Sequence, residues 1–107
     1  MKITDLTIQQ KIDILKKTLS WFENWKPSEY NSYLSGVCSQ IICNLPDDFE
    51  FDNTDCSYAE IIQINFDMLK YKPKEIEGMW WWNCNKTGLQ PRIDLLHKLI
   101  KDWEVKL

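Results

Sequence analysis

Apolar residues return every three to four positions over several stretches of the chain, and each such stretch predicts an amphipathic helix. The first holds Ile8, Ile12, Leu15, Leu19 and Phe22 on one stripe. Thr7-x-x-Gln10, a capping-box pattern, opens it, and Pro27 closes it. Ile14, Trp21 and Trp25 lie well round the wheel from that stripe. This helix is therefore expected to touch its own core on one side and a second element or a partner on the other.

A second helix is expected from near Ser28 or Asn31 to about Leu45, stopped by Pro46. Tyr30, Tyr33, Leu34, Val37, Ile41 and Leu45 form its apolar face, and no charged residue occurs between Glu29 and Asp47. A surface helix normally carries charge outward, so this one reads as central or covered by another subunit. Its opposite face, Ser32, Ser35, Gly36, Ser39 and Cys43, is small enough for a backbone or a ligand to approach closely. Tight helix packing is the plainer use of it. Ser57-x-x-Glu60 opens a third helix carrying Tyr58, Ile61, Ile62, Met68 and Leu69, ended by Pro73. Pro91 suits the first turn of a last helix whose stripe is Ile93, Leu96, Leu99, Ile100, Trp103 and Leu107. Between these two, Trp80, Trp81 and Trp82 form a short strand or plain extended chain. The expected fold is all-α, or mainly α with that short extended segment: a compact bundle of about four helices in a single domain, 1–107.

Composition narrows the function. A chain of 107 residues, 44% hydrophobic, suffices for one core and is too apolar for disorder. Its 13 Lys and Arg against 16 Asp and Glu, net −3, argue against non-specific nucleic-acid binding, which draws on a basic excess. No apolar run approaches the roughly 18 residues of a membrane span, and Met1 to Thr7 do not show the long apolar run expected of a signal peptide. The expected location is the cytoplasm, with Cys38, Cys43, Cys56 and Cys84 as reduced thiols. Their spacing offers no closed zinc site, and the acidic stretch 47–55 lacks the glycine and terminal glutamate of an EF-hand. No phosphate loop or nucleophile elbow occurs, and His97, the only histidine, reads as structural. No enzyme, metal or cofactor is expected.

The candidate chemistry lies between Gly78 and Arg92. Arg92 falls in the first turn of the last helix, on the angular face of Leu99 and Trp103. A cation there opposes the helix dipole, and a core-facing guanidinium needs a partner. Arg92, Lys86 and the free N–H groups of the helix start suit an anion, while Trp80, Trp81 and Trp82 offer flat faces for stacking. Together they suit a small nucleotide-like ligand. The plainer alternative pairs Arg92 with an acid from 47–55 and sends the tryptophans to the core. Ile14, Trp21, Trp25, Ser32 and Gly36 are the candidate interface, either for a partner protein or for a homodimer or higher homo-oligomer.

Ser35-Gly36-Val37-Cys38, followed by Trp80-Trp81-Trp82 and then Arg92-x-x-Leu95-Leu96-x-x-Leu99-Ile100, resembles a loose class of small bacteriophage accessory proteins of the host-takeover and anti-defence type. The likeness spans the second helix and the last thirty or so residues. It implies a protein made in the host cytoplasm during infection, one that sequesters a nucleotide immune signal or blocks a host defence protein by direct contact. It implies no catalytic residues.

Overall fold

The chain begins its first long helix, α1 (Ile8–Glu23), where the capping pattern places it. Thr7 N–H donates to Gln10 Oε1 at 2.8 Å, and Gln10 N–H donates to Thr7 Oγ1 at 3.1 Å, so two orphan donors satisfy each other. The computed structural model describes residues 2–27, 34–49, 58–72, 74 and 88–107. Among these, three further α-helices follow: α2 (Val37–Cys43), α3 (Tyr58–Asn65) and α4 (Leu89–Glu104). Short 3-10 turns lie at Ile3–Asp5 and Met68–Tyr71, and no strand occurs among the described residues. The protein is a small all-α bundle.

α1 and α4 make the most extensive helix pair, and α2 packs on both α1 and α3. Ile12, Leu15 and Phe22 of α1 meet Leu96 and Leu99 of α4 in one core, joined by Val37, Ile41, Ile62, Phe66 and Met68. Each fully buried side chain of this kind adds roughly 1.5–3 kcal/mol by leaving water. The Ile3–Asp5 turn adds Ile3 and Leu6 to one rim of the core.

Four sequence expectations are corrected by this packing. Ile14, expected on an outward stripe, is only 4% exposed. The cause is Asn44, just after α2, which donates through Nδ2 to Thr18 Oγ1 at 3.1 Å and brings the 44–46 turn over this side of α1. The second helix starts at Val37, with residues 34–36 outside it, and buried Gly36 is its N-cap in extended geometry (φ −72°, ψ 153°). Glycine costs only a few tenths of a kcal/mol at that position, against about 1 kcal/mol inside a helix, so the later start is the cheaper one.

The third helix does not run to Pro73. It ends at Asn65, and Asp67 takes a left-handed backbone (φ 59°, ψ 27°) that turns the chain into Met68–Tyr71. Aspartate tolerates this region better than most residues, which lets a helix stop without glycine. Finally, Leu107 lies beyond the end of α4 and is 69% exposed, leaving Trp103 as the last core residue of that stripe.

Candidate functional site

Gly88 caps α4 in extended geometry with no side-chain hydrogen bond, and Pro91 is the third helical residue, where its missing N–H costs nothing. Arg92 follows. It shares the inner face of α4 with Leu95, Leu96, Leu99 and Trp103 and is 2% exposed. Its Nη1 reaches the carbonyl oxygen of Leu34, at 3.5 Å, in the segment that leads into α2. The guanidinium therefore ties the start of α4 to the approach of α2, at the positive end of a four-turn helix.

Trp80, Trp81, Trp82 and Lys86, expected beside Arg92, lie outside the described residues, as does Ser32. Trp21 lies in the last turn of α1 and Trp25 just beyond its end: Trp21 is 36% exposed and stands edge-on to Phe22 (centroids 4.9 Å apart, planes at 86°), while Trp25 is half-buried. Ile14 and Gly36, the other candidate interface residues, are inside the chain's own packing. Asp47 and Asp48 are exposed, and Phe49 packs against the core; the rest of the acidic stretch, 50–55, is outside the described residues. His97 is exposed on α4.

Cys38 sits on α2 against buried Gln63 of α3, and burial pushes its thiol up to about 12. Such a thiol stays protonated and unreactive at neutral pH. Cys43, on the same helix, is exposed. Among the described residues no group of three or more His, Cys, Asp or Glu converges to hold a metal ion. No helix among them is long and apolar enough to cross a membrane.

A second charged constellation, which the sequence reading did not single out, joins the end of α4 to the turn after α3. Asp102 accepts from the Tyr71 hydroxyl and pairs with Lys70 Nζ at 2.6 Å. These partners hold its carboxyl below the usual carboxylate range, Lys70 contributing most. Lys106 Nζ pairs with Asp67 Oδ2 at 3.0 Å and stands 4.0 Å from the centroid of the Trp103 ring. Lys11 Nζ lies 4.3 Å from the same ring, its pKa lowered by burial. The indole N–H of Trp103 donates to the carbonyl of Phe66 at 3.3 Å, satisfying an acceptor at the broken end of α3. Only the spacing of partners distant in sequence marks these pairs, so no local pattern reveals them.

Among the described residues, surface clefts lie along α1, along α4 and beside the turn after α3. One of about 370 Å³ runs between α1 and the turn after α2, with Asp13, Lys17 and Asp47 on its rim. Another of about 240 Å³ lies along α4, walled by Tyr71, Pro91, Asp94, Leu95 and Lys98. The first carries mixed charge and no aromatic ring. The second has a ring and a cation, and it opens beside the first turn of α4. No protein-family model, curated protein or solved structure matches the chain.

Proposed function

We propose that this is a non-enzymatic binding protein for a small anionic, nucleotide-like ligand, engaged at the N-terminal end of α4 through Arg92 with Trp80, Trp81, Trp82 and Lys86. The observation that carries the reading is Arg92 itself. A guanidinium 2% exposed in the opening turns of a 16-residue helix brings a planar fork of donors to the end of the bundle where the helix N–H groups gather. The resemblance to phage accessory proteins supports sequestration of a defence signal in a host cytoplasm as the purpose.

Thermal melts of the wild type and Arg92→Ala, each with and without nucleotides and cyclic oligonucleotides, test it. The expected result is a ligand-dependent rise in Tm for the wild type that Arg92→Ala abolishes while still folding. Losing charge-assisted hydrogen bonds of about 1.5–3 kcal/mol lowers affinity roughly ten- to a hundredfold. No ligand shift in the wild type, together with a loss of about 3–5 kcal/mol in Arg92→Ala, makes the guanidinium a structural member of the core and ends this reading.

One observation favours a second reading, direct-contact inhibition of a host defence protein. Trp21 is a large aromatic 36% exposed four residues before half-buried Trp25, the kind of anchor that interfaces use. A homodimer through the same surface is the self-association that goes with either reading. Sedimentation equilibrium of the wild type and Trp21→Ala at tens of micromolar (roughly, for a moderately tight dimer) distinguishes a dimer on this surface from a strict monomer.

A further inference from the structure

Residues 69–72 follow a firm anchor and lie less deeply buried than it does. Phe66 and Met68 are fully buried, and Asp67 between them is pinned to Lys106. Beyond Met68, by contrast, Leu69, Tyr71 and Lys72 are half-buried and Lys70 is exposed. Tyr71 packs its ring against the core, and among the described residues the polar ties of this piece to α4 converge on one carboxylate. Asp102 takes both the Lys70 ammonium, at 2.6 Å, and the Tyr71 hydroxyl. The left-handed Asp67 just before Met68 already breaks the helical run of hydrogen bonds from α3, so the piece is not stiffened as a continuation of that helix.

Tyr71 is also a wall of the 240 Å³ cleft, facing Pro91, Asp94, Leu95 and Lys98 across it. The ammonium groups of Lys70 and Lys98 stand 5.1 and 5.6 Å from its ring centroid. We infer that residues 69–72 form a flap, seated by the Tyr71 ring and latched to α4 by the polar catch of Asp102, that gates the Tyr71 cleft while the core stays folded. Closed, the flap holds the tyrosine ring as a wall of the cleft beside Lys98. Open, it removes that wall, so cleft and catch exist together or not at all. Because the Lys70–Asp102 pair is partly exposed, salt screens it, and the catch loosens with ionic strength while the apolar anchors at Phe66 and Met68 do not.

Native-state trypsin cleavage of the full chain reads the opening directly, since the bond after Lys70 lies in the flap. Cleavage at this site is followed by peptide mass spectrometry, with amide exchange in α1 as the measure of global opening. In Asp102→Ala the cleavage rate after Lys70 is expected to rise about tenfold, the size of one lost charge-assisted contact. Asp102→Asn, which keeps an acceptor for Tyr71 but not the charge, should give a smaller rise. Wild type in high salt should move the same way as Asp102→Asn. Exchange in α1 stays unchanged in all three. A rise below about threefold in Asp102→Ala, or one matched by faster exchange in α1, overturns the flap, because the segment then opens only with the whole fold.

Discussion

Asn44 and Thr18 meet across the junction of α2 and α1, with Asn44 Nδ2 3.1 Å from Thr18 Oγ1. The same amide donates to Gln40 O at 3.0 Å, and the Thr18 hydroxyl donates to Ile14 O at 2.8 Å. The pair thus links two helix backbones through two side chains in a place where Thr18 is fully buried. Thr18→Val keeps the shape and leaves the amide short of an acceptor. Urea unfolding should show a loss of about 1–2 kcal/mol. Asn44→Ala should cost a similar amount, and the double variant less than both together, since the two residues share one bond.

The core and the tail of the α4 stripe should separate sharply. Leu96 is fully buried between α4 and its neighbours, so Leu96→Ala should cost about 2–5 kcal/mol in the same measurement. Leu107→Ala, at a position mostly in solvent, should stay within about 0.5 kcal/mol of wild type.

Thiol chemistry offers a test of the α2–α3 contact. Iodoacetamide should modify Cys43 readily in the native protein and spare Cys38, as read by peptide mass spectrometry. The Cys38 thiol ionises near its ordinary value of 9.0 in the unfolded chain but only near about 12 when folded. Between those values the folded state holds an extra proton, so stability falls as pH rises through that window. Cys38→Ala should therefore lose less stability than the wild type between about pH 9 and 12, by about one proton per molecule in the slope.

The acid side depends on Asp102. Its carboxyl is held below the ordinary value of 3.8, first by Lys70 and then by the Tyr71 hydroxyl. The stabilisation is present above about pH 4 and is lost as pH falls through the folded-state value. Asp102→Asn has nothing to protonate, so its stability curve should be flatter than that of the wild type below about pH 4. Melting both proteins between pH 2 and 6 (roughly the span around a carboxylate pKa) checks the sign.

Local signals told most where the physics was local. The Thr7 and Gln10 pair reads as a cap and is one, because both partners lie within a single turn. Arg92 reads as core-facing from its place on the wheel and is buried there. The start of α2 was not legible in the same way. An uncharged run looks helical throughout, and only the structure shows that Gly36 serves as a cap instead of an interior residue. Asp67 carries no sequence mark of its left-handed backbone, so Ile62 and Met68 looked like neighbours on one helix when a break lies between them. The Asp102 catch joins residues far apart in sequence, which periodicity cannot report. Of the residues proposed to hold an anion, Arg92 falls among the described residues, while Trp80, Trp81, Trp82 and Lys86 do not.

The pairing of α1 with α4 also sets how this protein must fold in time. α2 and α3 have seven and eight residues, below the roughly 12–15 at which an isolated helix becomes even marginal in water. Neither can persist as a seed on which neighbours assemble in turn. The main apolar interface instead joins the first α-helix of the bundle to the last, so the chain between them must be closed into a loop before any large reward arrives. Refolding should then be slower than for a bundle wound up from sequential hairpins, with a single barrier crossed when α1 finds α4. The short helices follow that encounter, and their speed of formation has little influence on the overall rate.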